Sequence, residues 1–109
     1  MAINRLIVHR EANGSPSFLR VAPGYVQTRV LAAATAETVT PPATARFVVF
    51  SADAHFWVDP HGATAAVPAA DVTDGTSPEL NPSGYELRGM ASFSVISPTA
   101  CKLSMAFYE

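Results

Sequence analysis

The sequence predicts an all-β fold: a compact antiparallel β-sandwich, of jelly-roll or immunoglobulin-like type, built from about eight short strands. Three observations lead there. Short runs rich in Val, Phe, Tyr, Trp and Thr recur along the chain. Nine prolines and six glycines interrupt them at short intervals, a spacing that suits short strands and not long helices. The one alanine-rich stretch, Leu31-Ala32-Ala33-Ala34-Thr35-Ala36, runs into β-branched residues and then Pro41-Pro42, so it reads as strand or extended chain.

Residues 5–10 form a short strand or an extended arm, Ala12-Asn13-Gly14-Ser15-Pro16 a turn, residues 17–21 a strand and Pro23-Gly24 a second turn. Residues 1–24 are thus an N-terminal arm or edge strand, and residues 25–109 the sandwich. From Tyr25 to Leu31 the chain alternates, with Val26, Thr28 and Val30 against Tyr25, Gln27, Arg29 and Leu31, the pattern of a half-buried strand. Residues 46–50 are apolar on both faces, as in a strand held between layers. After Ser51-Ala52-Asp53-Ala54, the aromatic run His55-Phe56-Trp57-Val58 suggests that the two segments form a β-hairpin. Asp59-Pro60-His61-Gly62 ends it as a turn.

Residues 63–84 carry turn chemistry every few positions and read as one long irregular loop. A loop of that length in a compact domain is functional or packed against something. Residues 85–88, 92–96 and 101–108 give three more strands. In the last, Cys101, Leu103, Met105 and Phe107 share one face, and Lys102, Ser104, Ala106 and Tyr108 the other. There is no internal repeat or low-complexity segment. Periodicity does not encode strand order, so both sandwich types remain open.

With 109 residues the chain fits one domain. Charged residues make up only 15%, below the roughly 25% usual in globular domains. This points to a surface partly covered by neighbours in an assembly. Lys102 is the only lysine and the arginines are spread along the chain, which argues against a nucleic-acid footprint. The single cysteine, Cys101, excludes an intrachain disulfide. No apolar run approaches the roughly 20 residues of a membrane-spanning helix. The start, Met1-Ala2-Ile3-Asn4-Arg5, lacks the features of a secretion signal, so the protein is expected to be made and kept inside the cell until something releases it.

The strongest chemical constellation is Asp53, His55, Asp59 and His61, which would share one side of a regular strand and supply two imidazoles and two carboxylates to a metal. Trp57 interrupts that row, and Asp53 and Asp59-Pro60 look like strand-end residues, so solvated turns around an aromatic hairpin are the simpler reading and no metal or cofactor is expected. Asp71-Val72-Thr73-Asp74-Gly75 loosely resembles a calcium loop, but Glu79 is at the wrong offset. An Asx-type turn with Gly75 at positive φ accounts for it. Cys101 could act as a nucleophile with His9, His55 or His61 as base, yet it lies on an apolar strand face, where cysteine is buried and inert. There is no Gly-x-Ser-x-Gly elbow and no phosphate-binding glycine loop. No catalytic residue is assigned, and the chain is read as non-enzymatic. Leu6, Ile7 and Val8 in the arm, together with Trp57 and Tyr85, are the candidate interface residues.

From about residue 37 to the C-terminus the chain resembles small virion proteins of tailed bacteriophages. The resemblance is carried by Glu37-Thr38-Val39-Thr40-Pro41, Ala45-Arg46-Phe47-Val48-Val49-Phe50-Ser51 and Phe56-Trp57-Val58, then by residues 64–75, Glu79-Leu80-Asn81-Pro82, Ser92-Phe93-Ser94-Val95-Ile96-Ser97 and the closing Phe107-Tyr108. It covers roughly two-thirds of the chain, excludes the residues before Tyr25, and carries over no active-site residue. It implies a structural protein of the virion, assembled in the host cytoplasm: a capsid decoration (cement) protein on the phage head, or a neck or tail accessory. The implied partners are the major capsid protein or other virion proteins and further copies of the chain, as a dimer or trimer, with no nucleic acid and no membrane. A decoration protein needs a rigid body, flat low-charge faces and segments that cross seams. An N-terminal segment could add a strand to a neighbour's sheet, and oligomers would amplify modest affinity on a repeating shell. Two other classes remain: a carbohydrate-binding module with Trp57 and Tyr85 as a stacking platform, and a small metal-dependent β-barrel enzyme using His55 and His61.

Overall fold

The computed structural model describes residues 3–6, 8–10 and 16–109. No helix occurs among them. The strands are β1 (Val8–Arg10), β2 (Pro16–Arg20), β3 (Tyr25–Leu31), β4 (Glu37–Val39), β5 (Phe47–Ala52), β6 (Trp57–Asp59), β7 (Glu79–Leu80), β8 (Gly84–Glu86), β9 (Phe93–Ile96) and β10 (Cys101–Tyr108). β1 and β2 pair with each other, outside two four-stranded antiparallel sheets of order β3-β10-β5-β8 and β4-β9-β6-β7. The all-β sandwich expected from the sequence is the fold observed.

Strand order decides which sandwich it is. Of the eight strands β3 to β10, the first pairs with the last, the second with the seventh, the third with the sixth and the fourth with the fifth. One long ribbon of four strand pairs has curled over, so that β5 also meets β10 and β6 also meets β9. That is jelly-roll winding, not the immunoglobulin arrangement.

This winding corrects the expected hairpin. β5 and β6 do not pair; they belong to different sheets, and residues 53–56 carry the chain from one layer to the other. The crossing places Phe50, Phe56 and Val58 in one core, with the Phe50 and Phe56 rings 5.6 Å apart. The long loop also holds a strand, β7, too short to show any period.

The inner faces follow alternation. Cys101, Leu103, Met105 and Phe107 of β10 are all buried, as are Val48 and Phe50 of β5. Val39, Val58, Phe93 and Val95 face them from the second sheet, and Leu31 and Leu87 join the same cluster. β9 is buried on both faces. Its inner side chains are Phe93 and Val95, so Ser94 and Ile96 point outward. There the long loop meets Ser94: Ala65 is buried and its amide donates to Ser94 Oγ at 2.8 Å. Part of that loop is therefore packed on its own sheet.

Local turn chemistry matches the expectations drawn from sequence. Gly62 and Gly75 have φ of 88° and 89°. Asp59 Oδ1 accepts the His61 amide at 2.8 Å. In the loop before β7 the capping carboxylate is that of Asp74, which accepts the Thr76 hydroxyl at 2.6 Å and the Thr76 amide at 3.1 Å. These two bonds hold the Asp74 carboxyl below its ordinary range.

Candidate functional site

The outer face of the first sheet is uncharged across its two central rows, with exposed Lys102 beside Val30 at one end and exposed Glu86 beside Phe47 at the other. Because Leu103, Met105 and Phe107 point inward, Ser104 and Ala106 point outward from β10, Ser104 half-buried and Ala106 buried between its neighbours. Register then lays the outward residues in rows. Ala106 sits opposite Val26 on one side and Val49 on the other, and Val49 opposite Gly84. This row crosses all four strands with only small or aliphatic side chains. In the adjoining row Ser104 lies between Thr28 and Ser51.

The face ends at β3, an edge strand whose second side pairs with no strand among the described residues. Its outward valines are exposed, Val26 by 49% and Val30 by 71%. The inward side chains are held within the chain. The Tyr25 ring meets Phe107 edge-on at 5.9 Å. Arg29 reaches Glu37 of β4 at 3.0 Å and Gln27 Oε1 at 3.2 Å. Sequence alternation defines these two faces of β3 but not which is outside, and the reading from sequence did not single out Val26, Thr28 or Val30.

The N-terminal segment is tied to one end of the same sheet. The Glu109 amide donates to Asn4 O at 2.9 Å and the Leu6 amide to Glu109 O at 3.3 Å. The Asn4 amide group donates to Ala22 O. Tyr108, fully buried, donates its hydroxyl to Val21 O at 2.7 Å, receives a hydrogen bond from Arg20 and lies under the Arg20 guanidinium. Of the expected arm residues, Leu6 is half-buried and bonded within the chain. Val8 begins β1, opposite Arg20. Ile7 lies outside the described residues, as do four residues of the expected turn, 12–15. β1 pairs with β2 inside the chain, so its described pairing is not with a neighbour's sheet.

Trp57 and Tyr85 do not make one stacking surface. Val58 is wholly buried in the core, so Trp57 beside it points away from the opposite sheet, next to Ile96 and the exposed Leu80. Tyr85 points inward, its ring edge-on to Phe50 at 5.5 Å. Its hydroxyl donates to Glu79 Oε1 at 2.6 Å, clasping β8 of one sheet to β7 of the other. Burial first, and then the Glu79 carboxylate, raise the Tyr85 phenol above its ordinary value. A raised phenol favours the fold fully below the unfolded value of about 10 and loses that contribution as pH climbs through the folded value. Unfolding in urea should therefore show a steeper alkaline loss of stability for the wild type than for Tyr85→Phe; parallel curves would contradict the clasp.

The four residues considered for a metal are dispersed. Asp53 Oδ1 accepts the Lys102 amide at 2.8 Å. Asn81 Nδ2 donates to His55 Nδ1 at 2.7 Å. Asp59 and His61 share the turn after β6. Among the described residues no three His, Cys, Asp or Glu side chains converge on a metal position. Cys101 is buried, its thiol 3.7 Å from Ala54 O.

At the loop end of the sandwich lies an open cleft of about 610 Å³, floored by Phe50 and Phe56 and rimmed by Asp53, His55, Asn81 and Thr99. Its polar rim braces the loops. Asn81, at φ 48°, accepts the Phe56 amide on its side chain and donates its own amide to Phe56 O. Comparison of the chain with protein-family models, curated proteins and solved structures gives no match.

Proposed function

We propose that this chain is a non-enzymatic structural protein of a phage virion, a decoration protein that binds and stabilises the assembled head. The observation that carries the reading is the centre of the outer face of the first sheet: two rows, Val26-Ala106-Val49-Gly84 and Thr28-Ser104-Ser51, without a charged side chain, between Lys102 at one end and Glu86 at the other. Flat central rows of small residues can seat on a preformed shell with little side-chain ordering, and the charges at the two ends can stay at a solvated rim. Three further features support the reading: the low overall charge, the resemblance of residues 37–109 to small virion proteins, and the two-stranded β1–β2 element beside a rigid body. The partners in this reading are the major capsid protein and further copies of the chain. Placement at the neck or tail uses the same face and differs only in the partner.

Two measurements test it. Mass spectrometry of purified particles, with heads and tails separated, should find the protein on heads in many copies; recovery with tails would favour the accessory placement, and absence from both would end the proposal. Ser104→Arg sets a charge in the middle of the face. It should lower head occupancy at least about tenfold, the scale of one desolvated charge at an interface, with unchanged circular dichroism. Full occupancy by that variant would remove the face from the argument.

A further inference from the structure

We infer that two copies of this chain pair through β3, edge to edge and antiparallel, about a two-fold axis at Thr28. The inference goes beyond the virion reading and does not depend on it. It rests on the symmetry of the strand itself. Reading outward from Thr28, the flanking residues are Gln27 and Arg29, then Val26 and Val30, then Tyr25 and Leu31. Each step pairs two polar or two apolar residues. A two-fold interface demands this kind of self-complementarity, because one surface must match itself.

Among the described residues the edge is also unguarded. Exposed edges are ordinarily blunted by lysine, proline, bulges or short length. β3 is seven residues long, contains neither lysine nor proline, and keeps continuous register with β10. Its outward side chains, Val26 and Val30, are two of the four large exposed hydrophobics among the described residues.

Charge and facing then select the register. Opposed residues in an antiparallel pair must point to the same side, so a two-fold pairing centres on one residue. Centred on Thr28, each Val26 meets the other copy's Val30, and each Gln27 meets the other copy's Arg29. β-Branched pairs of this type are favourable cross-strand neighbours. Centring on Arg29 would oppose two arginines. Centring on Gln27 would oppose Arg29 to Tyr25 and set Val26 against Thr28. Arg29 is already neutralised by Glu37 of its own chain, so the Thr28 register brings no unpaired charge to the seam. The product is one eight-stranded sheet whose outer face runs across both copies. One strand edge is a small interface, so the dimer is reversible and concentration-dependent.

Cysteine cross-linking reads the register directly. Thr28→Cys places two thiols across the axis with Cα atoms about 4.5–5.5 Å apart, inside disulfide range. Val26→Cys separates its two thiols by four residues, about 13 Å, beyond that range. Cys101 is buried, so the wild type serves as the uncross-linked control. Mild oxidation should give covalent dimer with Thr28→Cys and at least about tenfold less with Val26→Cys. Sedimentation of the unmodified chain should show a monomer–dimer equilibrium, weakened at least about tenfold by Val30→Lys, which alters a position 71% exposed and leaves the fold intact. A monomer at every concentration, equal cross-linking at both positions, or a trimer would overturn the pairing. A monomer that still decorates heads would overturn it and leave the virion reading standing.

Discussion

Phe50→Ala is expected to cost about 3–5 kcal/mol, the range for removing a buried phenylalanine. For a domain whose whole stability is about 5–15 kcal/mol, that is roughly a fifth of it or more. The size follows from position. Phe50 leaves β5 at the centre of the first sheet and meets three other rings: Phe56 at 5.6 Å, Tyr85 at 5.5 Å and Phe93 at 5.7 Å. Those rings come from the crossover, from β8 and from the opposite sheet, so one truncation loosens three junctions. Urea unfolding should show a lower midpoint with an unchanged slope. Val30→Ala, at an exposed position, should fall within about 0.5 kcal/mol of wild type. A loss below about 1 kcal/mol for Phe50→Ala would mean that the aromatic junction is not the centre of the core.

Gly84→Ala is the second large effect, and it arises from too little room. A Cβ at Gly84 would lie 2.5 Å from the Val48 carbonyl oxygen, where backbone has to move. Overpacking of this kind costs about 1–3 kcal/mol. β8 should shift away from β5, weakening the bond from the Phe50 amide to Ser83 O and the seat of Tyr85 on Phe50. The expected signature is a lower urea midpoint, with faster amide exchange at Phe50 and in β8 than in β10. A midpoint equal to wild type would show that this edge yields at no cost.

The parts of the fold legible in the sequence are those set by local physics. Cys101, Leu103, Met105 and Phe107 announce an inner face by alternation, and they are buried. Gly62 and Gly75 mark turns because only glycine takes positive φ freely, and both do. Strand order lies outside that reach, since pairing β3 with β10 joins segments some 75 residues apart. The expected β5–β6 hairpin failed for the same reason: two adjacent apolar runs fit a hairpin or two facing layers equally well. β3 misleads in a subtler way. Its Val-Thr-Val face has the greater β propensity, yet it is the outer one. Tyr25 packs against the core, Leu31 is buried in it, and the charge of Arg29 on their face is met by Glu37, a partner brought near only by folding.

The same pairing of first strand with last governs how the protein acquires its structure. Neither β3 nor β5 has its central neighbour until β10 exists, so productive nucleation waits for nearly the whole domain to emerge. Topologies dominated by such distant partners fold slowly and keep strand edges exposed meanwhile. A chain cut before Cys101 would leave β3 and β5 open to association with other nascent chains. Yield during expression should therefore depend on temperature and chaperone supply more than the modest size of the domain suggests.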